Sequence, residues 1–168
     1  MKNHLVLVGF MGTGKTTVGK ILARSLSRKL VDTDQYIEEK RGKAIPDIFR
    51  TEGETRFRQY EHDILTEIIH MPKPLVITTG GGIVLRRDNV KLMTKNGWVV
   101  ALTASRDTLI QRLQQDTSRP LLAGDLEERI DRLLTERSTA YDFADITVDT
   151  SDKTPHEVAQ TIIHQFRL

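Results

Sequence analysis

The chain reads as an α/β protein, a three-layer α/β/α arrangement around a five-stranded parallel sheet. Two observations predict it. Short β-branched runs alternate with longer stretches whose apolar residues fall three and four positions apart, so helices separate the strands and right-handed crossovers must join them. The first of those runs passes directly into a glycine-rich turn and then a helical pattern. At 168 residues the chain suits a single domain, able to bury roughly 70% of its unfolded surface.

The elements follow in order. Residues 5–8 (LVLV) form the first strand, followed by the helical KTTVGKILARSL. The second strand is 30–33 (LVDT); the third is 75–79 (LVITT), preceded by the helical ETRFRQYEHDILTEII. Strand 98–102 (WVVAL) precedes the helical DTLIQRLQQ, and a long helical stretch, DLEERIDRLLTERSTAY, precedes strand 145–149. The last helix begins near Pro155, which suits a first-turn position. Residues 34–62, mostly helical, and 116–124, broken by Pro and Gly, interrupt the alternation. Ligands bind such sheets at the carboxyl ends of their strands, so these two stretches are the candidate substrate and lid regions.

Composition excludes several classes. Twenty-five basic residues nearly balance 23 acidic ones, for a net charge of +2. That is too even for a dedicated nucleic-acid or membrane surface. There is no cysteine, which excludes disulfides and thiolate chemistry, and the five histidines have no metal-ligand spacing. No apolar run approaches a membrane span, and the first residues do not resemble a signal peptide. The expectation is a cytoplasmic monomer whose partners are small molecules, not nucleic acid or membrane.

The turn itself carries chemistry. Gly9-x-x-x-x-Gly14-Lys15-Thr16, between a strand and a helix, is the context of a phosphate-binding loop. Main-chain N–H groups around Gly12, Thr13 and Gly14 and at the helix start, through Thr17, face phosphate oxygens. Lys15 supplies charge to the β- and γ-phosphates, and the Thr16 hydroxyl suits Mg²⁺. The chain lacks the Asn-Lys-x-Asp guanine reader of switch GTPases, and its third strand runs into Thr79-Gly80-Gly81-Gly82 instead of a Walker-B aspartate. A small ATP-dependent kinase remains, and it needs a second pocket.

Parts for that pocket are present, each with a plainer alternative. Asp32 and Asp34 share a face if the second strand persists that far, one for Mg²⁺ through water and one for an attacking hydroxyl. The same pair also suits capping of the next helix, as Asp34 could do. Arg58 and Glu61 sit three apart on a helix, either an oriented guanidinium or a surface ion pair. Arg137 with Tyr141 is an anion clamp or a solvated helix face. Gly80, Gly81 and Gly82 offer a bare N–H surface for a polar ring, and Arg119 falls in the suspected lid.

Taken together, GFMGTGKTTVG, the DTD at 32–34, FR with Glu61, the TGGG at 79–82, RPLL at 119–122, ER…Y at 136–141 and ITVDTSDKTP at 146–155 closely resemble shikimate kinase, in family order. The resemblance implies a P-loop kinase fold of the nucleoside-monophosphate-kinase type, with a shikimate-binding insert at about 33–62 and a mobile lid at about 112–124. It implies transfer of the ATP γ-phosphate to the 3-hydroxyl of shikimate, in aromatic amino-acid biosynthesis. Asp34 would bind the acceptor hydroxyls and take the proton. Arg58 and Arg137 would hold the carboxylate, Gly80 to Gly82 would line the ring, and Phe49 and Phe57 would wall it. Lys15 and Arg119 would stabilise transferring charge, with Thr16 on Mg²⁺ directly and Asp32 through water. Arg112 would lie against adenine, with Lys153 nearby. Thr139-Ala140 departs from the Pro-Leu frequent there, which touches local helix shape. A gluconate kinase, or a nucleotide-sensing protein without turnover, are the rival readings.

Overall fold

The computed structural model describes residues 2–115 and 125–166. Five strands, β1 (His4–Gly9), β2 (Lys29–Asp32), β3 (Leu75–Thr78), β4 (Gly97–Thr103) and β5 (Ile146–Asp149), form one sheet in the order β2-β3-β1-β4-β5. Every pairing is parallel. The helices among the described residues are α1 (Lys15–Ser25), α2 (Thr33–Arg41), α3 (Ile45–Glu52), α4 (Glu54–Ile69), α5 (Arg87–Asn96), α6 (Arg106–Gln114), α7 (Leu126–Glu136) and α8 (Pro155–Phe166).

β1 explains the layering. Its residues are buried on both sides, as a central parallel strand requires. Val6 and Val8 enter a core shared with α2 to α5, whereas Leu5 and Leu7 enter one shared with α1 and α8. That alternation is the period-2 rule of a strand. α1 lies close on the sheet because it passes over it at Gly19, where a Cβ would stand 2.5 Å from the Thr78 methyl. A third cluster, Phe10, Met11, Leu109, Ile110, Leu113 and Ile130, joins the turn after β1 to α6 and α7.

The structure amends the sequence reading at three places. β2 ends at Asp32, so Asp34 belongs to α2 and the two carboxylates do not share a strand face. The helix expected over 125–141 stops at Glu136 and gives way to turns, with Arg137 as its C-cap. Helix α5 lies in a stretch to which the sequence reading assigned no element; its mean hydropathy is low and only Asn89 and Met93 are buried.

Candidate active site

The turn after β1 wraps the start of α1. Gly12 and Gly14 hold φ of 80° and 93°, which a side-chain-bearing residue rarely adopts. Thr13, almost wholly buried, donates its hydroxyl to the Phe10 carbonyl at 2.8 Å. Lys15 Nζ donates to the carbonyls of Gly9 (2.8 Å) and Phe10 (2.9 Å), so the ammonium lies across its own loop. A cavity of about 270 Å³ opens here, lined by Gly12, Gly14, Lys15, Thr16 and Thr17 on one side and by Asp32, Asp34, Gly80, Gly81 and Arg112 on the other.

Asp32, not Asp34, caps α2. Its Oδ1 accepts from the main-chain N–H of Asp34 (3.0 Å) and Gln35 (3.1 Å), and its Oδ2 accepts the Thr78 hydroxyl at 2.7 Å. The cap explains the end of the strand: the carboxylate satisfies two of the helix's orphan N–H groups.

Arg112 braces the loop from α6. One guanidinium nitrogen donates to the Gly12 carbonyl (3.1 Å) and the Thr150 hydroxyl (3.0 Å), and the other donates to the Thr150 carbonyl (3.0 Å). Buried Thr150 also lies within hydrogen-bond reach of the carbonyls of Thr13 (3.1 Å) and Thr103 (3.0 Å). Lys153 is exposed, bonds the Asp149 carbonyl at 3.1 Å and does not line this cavity. Arg119 lies outside the described residues.

Gly80, Gly81 and Gly82 gather the remaining charged groups. A Cβ on Gly80 would meet Asp34 Oδ1 at 2.8 Å and Glu61 Oε1 at 3.2 Å. One on Gly81 would lie 3.3 Å from Arg137 Nη1 and 3.5 Å from the Gly9 carbonyl oxygen. One on Gly82 would stand 2.5 to 2.7 Å from three atoms of the Arg58 guanidinium. The glycines therefore make room for side chains from α2, α4 and the turn after α7, where the sequence suggested a bare surface alone. Gly80 also donates its N–H to Thr33 at 3.3 Å, and Tyr141 donates its hydroxyl to the Gly81 carbonyl at 2.9 Å.

The electrostatics of this corner are unusual. Glu61, 1% exposed, accepts Arg58 Nη1 at 2.6 Å. Burial pushes its carboxyl up to about 7, against the pull of Arg58. Burial pulls Arg58 down, but Glu61 and Glu54 outweigh it and leave the guanidinium raised. Arg137 Nη1 is buried and has no hydrogen-bond acceptor among the described residues. A buried guanidinium nitrogen without an acceptor is a costly arrangement unless an anion visits it. Phe57, buried beside Arg58, packs its ring against Phe49 at 4.6 Å between centroids.

Thr33, Thr79 and Thr150 fall inside quoted motifs, but the sequence reading gave them no role. Their hydroxyls secure main chain around the site, Thr79 on the Leu7 carbonyl at 2.9 Å. Threonine at a strand end carries no pattern that separates this task from ordinary β-propensity.

A parallel sheet, a phosphate-binding turn and a facing pocket of paired carboxylates and arginines define a P-loop phosphotransferase for a small molecule. The shikimate kinase family model matches residues 11–167. A curated shikimate kinase of Thermodesulfovibrio yellowstonii is 47% identical over 167 residues, covering 99% of this chain and 95% of that protein. Shikimate kinase from Acinetobacter baumannii, solved in complex with shikimate, superposes with a TM-score of 0.93 at 37% identity, covering 99% of this chain and 94% of that one. The chain belongs to the shikimate kinase family. A gluconokinase from Sinorhizobium meliloti, covering 98% of this chain and 92% of its own, shares the fold alone, at 15% identity and a TM-score of 0.59.

Proposed function

We propose that this chain transfers the γ-phosphate of ATP to the 3-hydroxyl of shikimate, giving shikimate 3-phosphate and ADP for aromatic amino-acid biosynthesis. The observation that carries the reading is the convergence of Asp34, Glu61, Arg58 and Arg137 on one glycine turn that also borders the phosphate-binding loop.

Each residue has a chemical task. Main-chain N–H groups from Gly12 to Thr17 hold the phosphate chain, and Lys15 leaves the Gly9 and Phe10 carbonyls for the β- and γ-phosphates. Arg112 keeps the loop in shape; with Lys153 it forms the adenine side. Arg58 and Arg137 hold the acceptor carboxylate, a bidentate partner for planar guanidinium groups. Gly80 to Gly82 border the ring, and Phe49 and Phe57 wall it. Asp34 accepts a hydrogen bond from the attacking hydroxyl. As the bond from the γ-phosphorus to the bridging oxygen breaks and the new one forms, the hydroxyl proton passes toward Asp34. The transition state is loose, so alignment and charge neutralisation by Lys15 and Arg119 matter more than base strength.

Asp32 and Thr16 fit Mg²⁺ in one specific way. Asp32 already accepts three hydrogen bonds, which leaves room for a metal-bound water, and no cluster of three carboxylate or imidazole ligands competes for metal among the described residues. Such a site suits an ion that keeps its waters and takes few protein ligands. When bound, Mg²⁺ would neutralise phosphate charge beside Thr16.

The chain acts as one domain, with the insert at about 33–62, the lid at about 112–124 and small molecules as its partners, as a cytoplasmic monomer. No described helix is long and apolar enough to cross a membrane. ADP release with shikimate, ATP and Mg²⁺, followed by ³¹P NMR of the product, tests the assignment. Faster turnover of gluconate would overturn it, and ATP binding with no ADP release would make the chain a sensor.

A further inference from the structure

Helix α3 hangs between two glycines with positive φ, Gly42 at 62° and Gly53 at 84°. A Cβ at either would meet nothing within 4 Å, so backbone conformation selects glycine at both joints. Of its eight residues only Ile48 is buried. A short helix on two such joints needs other ties to hold its place.

Tyr60 on α4 supplies them. Its ring lies 3.5 Å from the Arg41 guanidinium, at the end of α2, with Arg56 at 5.0 Å. Its hydroxyl donates to Glu52 Oε2 at 2.5 Å and accepts from Arg56 Nε at 3.1 Å. The other Glu52 oxygen takes Lys43 Nζ at 2.9 Å. Arg41 and Lys43 flank the first joint and Glu52 precedes the second. One buried phenol thus gathers both ends of the helix that carries Phe49.

We infer that Tyr60 is a positioning residue for the acceptor pocket: its hydroxyl locks α3 onto α4 and so fixes Phe49 against Phe57. The inference rests on the reading of those two rings as acceptor walls. These ties join α2, α3 and α4, whereas Arg112 braces the phosphate-binding loop through Gly12 and Thr150.

The test is steady-state kinetics on the full chain. Tyr60→Phe keeps the ring under Arg41 and removes both hydrogen bonds. A typical hydrogen bond corresponds to roughly a three- to tenfold change in an equilibrium constant. The expected result is a rise of that size in KM for shikimate, with kcat and KM for ATP within about twofold. Glu52→Ala should give the same split, Glu52→Gln should restore most of it by keeping an acceptor, and Tyr60→Phe with Glu52→Ala should add little further. Equal rises in both KM values, or a loss of thermal stability alone, would make Tyr60 merely structural. Phe49→Ala separates the two layers. If it leaves KM for shikimate unchanged, the wall reading fails; if it raises KM while Tyr60→Phe does not, only the lock fails.

Discussion

The two glycine-rich turns of this protein, Gly9–Gly14 and Gly80–Gly82, each end a strand at the middle of the sheet, yet they use glycine differently. In the first, Gly12 and Gly14 hold positive φ, and a Cβ on Gly14 would meet nothing within 4 Å. Backbone conformation decides at Gly14, while at Gly9 a Cβ would also stand 2.3 Å from the Leu102 carbonyl oxygen, so main chain fills the space around this turn. In the second turn no glycine has positive φ, and charged side chains from elsewhere occupy the space of a Cβ at Gly80 and Gly82, with Arg137 Nη1 3.3 Å from one at Gly81. On the proposed function, the nucleotide side is thus a local, main-chain site and the acceptor side an assembled, side-chain site.

Substitutions should separate the two. Lys15→Ala has the largest expected effect: the cradle keeps its main-chain donors but loses the charge proposed to meet the transferring group. Removing one such stabilising group costs on the order of 10²–10³ in kcat. KM for shikimate should hardly move. An unchanged kcat would take Lys15 out of the transfer step.

Gly82→Ala attacks the other turn. The new methyl would fall 2.5 to 2.7 Å from the Arg58 guanidinium, closer than such atoms can stand, so Arg58 must leave its place beside Glu61. KM for shikimate should rise roughly tenfold, the scale of one charge-assisted hydrogen bond, with KM for ATP unchanged. Equal rises would dissolve the distinction between the turns.

A smaller effect concerns Glu61 and is read in stability. Its folded pKa of about 7 exceeds the ordinary value of 4.5, so the folded state binds the proton more tightly between those limits. Stability from this group is therefore present at low pH and lost as pH rises toward 7, by up to about 3 kcal/mol. Glu61→Gln removes that slope. Between pH 5 and pH 8 the Tm of the variant should gain several degrees on the wild type. Parallel melting curves across that range would mean that Glu61 is ionised throughout.

How much was legible in the sequence follows the same division. The phosphate-binding turn could be read directly, since glycine spacing, lysine and flanking elements all lie within one short stretch. Strands β1 and β4 announced themselves as buried β-branched runs. The acceptor pocket could be collected as a set of motifs, but not its packing. Nothing local says that Gly82 makes room for Arg58, because their proximity depends on how α4 crosses the end of β3. Asp32 shows where the sequence left a choice open. Two aspartates flanking a threonine suit a strand end and a helix cap alike, and the choice fell to hydrogen bonds from Thr78 and the main chain of α2. α5 went unread because polar residues predominate in it and one of its two buried positions is an asparagine.

Ser27 supplies the control, a positive φ of 50° that serves neither turn. It follows Leu26, the C-cap of α1, and its N–H donates to the Arg24 carbonyl at 3.2 Å while the Arg28 N–H donates to the Ala23 carbonyl at 2.9 Å. This is a Schellman ending, whose left-handed position favours glycine. A serine there bears steric cost with no pocket to explain it, and it is exposed. Ser27→Gly should stabilise the protein by about 0.5–1 kcal/mol, the left-handed penalty less the extra chain entropy of glycine. That corresponds to a Tm increase of about 1–4 °C in a protein of this size. Both KM values should stay fixed. If KM for either substrate moved with this substitution, positive φ at the end of α1 would be coupled to the site through the helix.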